Sequence, residues 1–155
     1  MRPARTLKQR ALALLARRDY SRAELAVRLA RTGGSRDEVE PLLDELERAG
    51  YLCDARFASG VVRSKAGSYS KRAIAHALKE KGVAAGASRE ALEQLESFDD
   101  LSTATALWQR RFGCAPADER EKGRQVRFLL ARGYTASIAF RVLRNAGTVV
   151  DAEDG

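Results

Sequence analysis

The sequence predicts an all-α protein: nine helices in three tandem three-helix, helix-turn-helix-like repeats, laid end to end as an elongated body. Two internal alignments carry this reading. Leu29, Leu78 and Leu129 superpose together with the glycine that follows each at the fourth place, Gly33, Gly82 and Gly133. The next helix keeps the register, with Leu42-Leu43 over Ala91-Leu92 and Ala139-Phe140, and Leu46 over Leu95 and Leu143. A period of about 49 residues is the mark of stacked supersecondary units, whose function lies on an extended surface and not in a pocket. The third observation is the spacing of apolar residues. Val39, Leu42, Leu43 and Leu46 sit at i, i+3, i+4 and i+7, one stripe of a helix with none of the two-residue alternation of a strand.

The elements follow in order from start and stop signals. A first helix covers 7–18. Ser21-x-x-Glu24 reads as a capping box opening 21–32, which Gly33 stops, and Ser35-x-x-Glu38 as a second one opening 36–49, which Gly50 stops. Asp54 stands as a simple cap for 54–66 and Ser70 for 70–81, with Gly82 at its end. Ser88 opens 88–97, Asp100 opens 100–112 before Gly113, and 118–132 runs to Gly133. Thr135 caps the last helix, 135–146, with Gly147 as its stop. Leu25/Leu29, Ile74/Leu78 and Val126/Leu129/Leu130 repeat the core stripe in the second helix of each repeat. The repeats are thus 7–53, 54–99 and 100–147, with flexible tails at 1–6 and 148–155.

A competing register aligns Tyr20-Ser21, Tyr69-Ser70 and Tyr134-Thr135, pairing the ninth helix with the second and fifth. The nine-helix register is preferred because Asp54, Ala58 and Val61-Val62 also match Asp100, Ala104 and Leu107-Trp108 at the heads of repeats two and three. The tyrosine match then reflects a shared turn-plus-cap solution.

In 155 residues, three repeats of this size each bury only a small core alone, so neighbours must share apolar surface. Net charge is +7, which favours an anionic partner: nucleic acid, an acidic protein face or an anionic membrane. The charge follows the repeats. Residues 1–33 hold 9 Lys and Arg against 2 Asp and Glu, and 34–53 hold 2 against 6; 54–83 hold 7 against 2 and 84–101 hold 1 against 5. Basic first and second helices therefore precede an acidic third. Acidic helices packed beside basic ones neutralise part of this, and the surplus faces a partner.

No apolar run approaches the roughly 20 residues of a membrane span, and Met1-Arg2-Pro3-Ala4-Arg5 lacks a signal-peptide core, so a cytoplasmic protein is expected. Cys53 and Cys114 are isolated and His76 is the only histidine, which leaves no metal-ligand set; the thiols read as ordinary packed or partly exposed side chains. Ser68-x-x-Lys71 matches a nucleophile pattern but lacks a third group, and no phosphate-binding glycine loop is present. Asp99-Asp100 and Asp118-Glu119 fall at helix starts, where the macrodipole favours them. No catalytic, cofactor-binding or metal residue is assigned, and no cofactor is expected.

The stretch Gly50-Tyr51-Leu52-Cys53-Asp54-Ala55-Arg56-Phe57-Ala58, followed by Lys71-Arg72-Ala73-Ile74 and Leu78-Lys79-Glu80-Lys81-Gly82-Val83, resembles the RecX regulatory proteins, from about Leu7 to Gly147. Two residues depart from the pattern: Cys53 stands where the family often has the first Asp of a pair, and Ala77 where a Glu before the Leu is common. The resemblance implies a nine-helix, three-repeat, elongated modulator of the RecA recombinase. Such a protein lies in the groove of the RecA–DNA filament and depresses ATP hydrolysis, strand exchange and coprotease activity.

Helical spacing offers residues for that contact. Arg72, His76 and Lys79 fall at i, i+4 and i+7, flanked by Lys71 and Lys81; Arg120, Arg124 and Arg127 form a second stripe, and Arg56, Arg63 and Lys65 a third. The bland alternative for each is a solvated helix face. Tyr69 precedes the central basic helix and either stacks on a base or covers the turn, and Trp108 and Phe112 read as core or inter-repeat contacts. The expected partners are the RecA filament and DNA phosphates without sequence specificity, met by a monomer. The runner-up is a helix-turn-helix transcriptional regulator, since a basic second helix also suits the major groove. Against it, Gln125 is the only Asn or Gln in the three second helices to read a base edge.

Circular dichroism should therefore show a helical protein without measurable strand, and small-angle scattering an elongated particle. A sheet signal or a compact sphere would contradict the repeat reading.

Overall fold

The structure, a computed structural model, describes residues 4–153 and the side chains of 4–147. Residues 1–3 and 154–155 of the expected tails lie outside the described residues. Nine α-helices are present and no strand among the described residues: α1 Leu7–Arg17, α2 Arg22–Arg31, α3 Arg36–Arg48, α4 Asp54–Lys65, α5 Lys71–Glu80, α6 Ala85–Leu92, α7 Asp100–Arg111, α8 Glu119–Ala131 and α9 Ala136–Glu153. The chain forms two compact units, 1–61 with 77–91 and 62–76 with 92–155, and α4 and α5 contribute residues to both.

The repeat positions behave alike. Leu29, Leu78 and Leu129 are fully buried, and the glycines after them, Gly33, Gly82 and Gly133, all take positive φ, the left-handed turn that ends each helix. Ala58 and Ala104 are both inaccessible, and Val62 and Trp108 both buried, as the alignment of the repeat heads requires. Two expected core positions are exceptions: Phe140 is 39% exposed and Leu130, at the end of the α8 stripe, 42%.

In the first unit, α2 packs between α1 and α3, and Ala11, Leu25, Leu29, Leu43 and Leu46 form the centre of the core. Ser21 and Ser35 cap α2 and α3 by accepting the backbone N–H of Glu24 and Glu38. The two expected capping boxes are only half made. Glu24 turns to Arg18, 3.0 Å away, and Glu38 accepts from the Ser35 hydroxyl at 2.9 Å. The reciprocal box is instead at Thr6 and Gln9, ahead of α1.

Asp54 does not cap its own helix. Its carboxylate accepts the Arg22 N–H at the start of α2 (2.8 Å) and the Ala84 N–H just before α6 (2.9 Å), while Cys53 sulfur takes the Arg56 N–H of α4 at 3.5 Å. Because Asp54 serves Ala84, α6 begins at Ala85 and not at Ser88, whose N–H donates to the Ala84 carbonyl as an ordinary helical bond. The helix ends at Leu92 and tightens into a 3₁₀ turn, Glu93–Leu95. Ser21 adds a bond from its hydroxyl to the Lys81 carbonyl, 2.6 Å, and Gly82 packs so closely on Ala23 that a Cβ there would lie 2.5 Å from the alanine methyl.

The second unit repeats this joint. Asp100 accepts the Lys71 N–H at the start of α5 (3.2 Å), the Ser70 N–H donates to the Arg132 carbonyl (3.0 Å), and a Cβ on Gly133 would meet the Ala73 methyl at 2.5 Å. The cap of α7 is therefore Asp99, which accepts from Ser102, and not Asp100. Helices α7, α8 and α9 enclose a core of Ala104, Leu107, Trp108, Leu129, Ala139 and Val142. Helix α9 runs on through Gly147 to Glu153. Gly147 has no positive φ, and a helical glycine costs about 1 kcal/mol without ending the helix unless the backbone turns left-handed.

Leu29→Ala in the first core and Leu129→Ala in the last should each destabilise by about 2–5 kcal/mol, since each empties a fully enclosed site. Urea unfolding checks this; an unchanged midpoint would show the position tolerant of a cavity.

Candidate nucleic-acid interface

The cations sort by what holds them. Arg22 is neutralised inside the first unit, within 3.0 Å of Glu40, Asp44 and Glu47 on α3, and these carboxylates, Glu40 first, raise its already high pKa. Lys8 pairs with Glu45 at 2.6 Å, which raises the ammonium pKa and lowers the carboxyl pKa. The acidic third helix is in this way answered by its own unit. Arg56, expected in a contact stripe, has all three guanidinium nitrogens engaged: Asp19 at 2.9 Å and the carbonyls of Gly50 and Tyr51 at 3.2 and 3.1 Å. It braces the turn before α4.

A different arrangement occupies the second unit. The turn 66–70 between α4 and α5 is gripped by the neighbouring helices: Arg110 donates to the Gly67 carbonyl (3.1 Å) and Arg132 to the Ser68 carbonyl (3.5 Å), while Ser70 donates to Arg132. This grip brings Arg132 over the Tyr69 ring, 4.9 Å from its centre, with the Lys65 ammonium 4.4 Å from the same ring. Arg132 also lies 5.3 Å from Phe128, and Arg111 spans Phe128 and Phe112 at 5.8 and 5.3 Å. The two phenylalanines meet edge to face at 5.4 Å, and Arg124 closes the series 6.0 Å from Phe112. The result is a ladder of four cations on three half-buried rings, each contact worth about 0.5–1 kcal/mol at an exposed site. A ring contact orients a cation without cancelling its charge, so Lys65, Arg111 and Arg132 form a positive surface, with Arg124 beside the Glu121 carboxylate at its end.

Of the residues expected in contact stripes, Lys65, Tyr69 and Arg124 belong to this ladder. Arg120 and Arg127 on α8 are exposed beside it in sequence, and Arg124 has Glu121 at 3.6 Å. Arg63 and Arg72 are exposed in the same unit, and Lys71 is half-buried. In the first unit Lys79 is exposed, and Lys81 lines a groove with Arg18, Arg28 and Arg31. The residues missed by helical spacing alone are Arg111, Arg132, Phe112 and Phe128. A signal was present: Lys65/Tyr69, Arg124/Phe128 and Phe128/Arg132 are all cation–aromatic pairs at i, i+4.

Gln125, the one candidate base reader, is buried. Its side-chain oxygen accepts from the Trp108 indole at 2.8 Å and its amide donates to the Cys114 carbonyl at 3.3 Å. Cys53 is half-buried and Cys114 exposed, both as free thiols. No group of three or more potential metal-ligating side chains occurs among the described residues, and no helix among them is long and apolar enough to cross a membrane.

Family models for the first, second and third three-helix domains of RecX match residues 8–46, 54–92 and 99–143. The regulatory protein RecX of Leptothrix cholodnii is 43% identical, over 94% of this chain and 92% of that protein. That of Ralstonia nicotianae is 41% identical, over 96% and 93%. A crystal structure of RecX from Lactobacillus salivarius, 17% identical, has the same fold, with a TM-score of 0.68 over 92% of this chain and 95% of that one.

Tyr134, in the turn after α8, provides a probe of this region. Burial, and then the Asp100 carboxylate, push its hydroxyl from 10.0 up to about 12, and that hydroxyl has no hydrogen-bond partner. The folded chain keeps the proton that the unfolded chain releases, so this contribution to stability is complete below pH 10 and falls as pH rises toward 12. Titration of tyrosinate absorbance should show one of the 4 tyrosines ionising last, and Tyr134→Phe should remove that step.

Proposed function

The chain belongs to the RecX family, and on that premise we propose that it is a modulator of the RecA recombinase, which binds the RecA–DNA filament and lowers ATP hydrolysis, strand exchange and coprotease activity. It works in the cytoplasm as a monomer without a cofactor. On this reading the cation–aromatic ladder of Lys65, Tyr69, Arg132, Phe128, Arg111, Phe112 and Arg124 meets DNA phosphates, with Arg120 and Arg127 extending it. Arg63, Lys71, Arg72, Lys79 and Lys81 supply further charge toward the filament.

The observation that carries this reading over a transcriptional regulator is the burial of Gln125. A helix that reads sequence presents Asn, Gln or bidentate Arg to base edges; here the single amide of the second helices is held by Trp108 and Cys114. Cations of the same unit lie over rings, an arrangement suited to backbone phosphates and unstacked bases, which carry little sequence information.

ATP hydrolysis by RecA on single-stranded DNA should fall when the protein is added. Replacing Arg124 and Arg127 together by Glu, or Arg72 and Lys79 together, should weaken that inhibition about tenfold or more, as expected when one of several linked contacts is lost, with helicity unchanged. Binding to naked DNA should be weak, indifferent to sequence and steeply salt-dependent, with a log–log slope of about 0.7–0.9 per phosphate contact. Strong preference for one duplex would favour the regulator. Inhibition that disappears whenever DNA is in excess would reduce the activity to sequestration of DNA.

A further inference from the structure

The first unit carries a second basic surface, of different chemistry. A groove of about 310 Å³ is lined by four cations, Arg18, Arg28, Arg31 and Lys81, against two carboxylates, Glu24 and Glu80, with Val27 among them. A neighbouring groove of about 270 Å³ is lined by Arg5, Arg10, Arg17 and Leu14 and shares Arg28 with the first. Arg17, Arg28 and Arg31 are exposed and make no ion pair or hydrogen bond among the described residues. Between these cations Val27 is 51% exposed, and one carboxylate oxygen of Glu24, Oε1, is buried with no hydrogen-bond partner.

We propose that this surface is a docking site for an acidic amphipathic helix of a protein partner, seated on α2. Charge complementarity requires carboxylates opposite Arg17, Arg28 and Arg31. Val27 requires an aliphatic side chain, because leaving it half in water forgoes burial that a polar ligand does not supply. A nucleic acid fits less well, because the one ring in the groove, Tyr20, is 5% exposed and already lies under the Arg18 guanidinium at 3.7 Å, which leaves a base no free face to stack on. The inference does not depend on the RecA reading, because its test contains no RecA.

The test uses the full chain and three fluorescent probes: a helical 18-residue peptide with glutamates flanking a leucine–alanine stripe, a scramble of it with the same composition, and an oligothymidylate. At low salt, anisotropy should show the amphipathic peptide binding at least about tenfold more tightly than the scramble, a difference expected of an interface with an apolar anchor. Val27→Asp, and separately Arg28→Glu with Arg31→Glu, should each weaken the peptide about tenfold, while oligothymidylate binding, expected at the ladder, is unchanged by Val27→Asp. All three positions are exposed or on the rim, and circular dichroism checks that the variants remain helical. Equal affinity for peptide and scramble would reduce the surface to diffuse charge and overturn the proposal. So would displacement of the peptide by oligothymidylate together with a silent Val27→Asp, which would assign the groove to nucleic acid.

Discussion

Two aspartates, Asp54 and Asp100, hold the fold at the places where helix starts converge. The first N–H groups of a helix have no partner within it and carry the positive end of its dipole. An ionised carboxylate aimed at them makes charge-assisted bonds, stronger than those of a neutral cap. Asp54, itself the first residue of α4, receives N–H groups from the starts of α2 and α6; Asp100, the first residue of α7, receives the start of α5. Beside each aspartate a glycine turn closes on an alanine with no room for a Cβ, Gly82 on Ala23 and Gly133 on Ala73. The same joint is therefore built in each unit from residues about one repeat apart. Its second copy places the Arg132 carbonyl on the Ser70 N–H, and Arg132 then covers Tyr69. The candidate interface is a consequence of the joint.

How much of this was legible depended on whether the physics was local. Leu29, Leu78 and Leu129 with their glycines announced themselves because burial and a left-handed turn recur at fixed spacing, and both are properties of one helix and its end. Asp54 and Asp100 were conspicuous as repeat heads, but each read as a cap for its own helix. Their real partners lie 29 to 32 residues away, and no local pattern reveals a cap supplied from elsewhere. The late placement of α6 at Ser88 was the same error, since its start at Ala85 depends on Asp54. Gly147 misled in the other direction: glycine permits a left-handed stop without requiring one.

The candidate site was half legible for a related reason. Lys65, Tyr69 and Arg124 came from charge and helical spacing. Arg111 and Arg132 join them only because the turn 66–70 is tied to α7 and α8 through Gly67, Ser68 and Ser70. Arg56 shows the limit of counting charges along a helix face. Its spacing with Arg63 was right for a stripe, yet Asp19 and two backbone carbonyls engage it.

Arg22 sits among three carboxylates, and such a pair cancels its field beyond a few ångströms while contributing little stability where it is exposed. Arg111 and Arg132 rest on rings, whose quadrupole orients a guanidinium and leaves its charge intact; Arg124 combines a ring contact with the Glu121 carboxylate. Arg17, Arg28 and Arg31 have neither kind of support. The cations thus include some paired with the acidic third helix, some held over aromatic rings, and some beside aliphatic carbon. Guanidiniums held over rings suit phosphates and bases, whereas guanidiniums around the half-exposed Val27 suit a protein surface. The same residue type is given different partners by what lies beneath it.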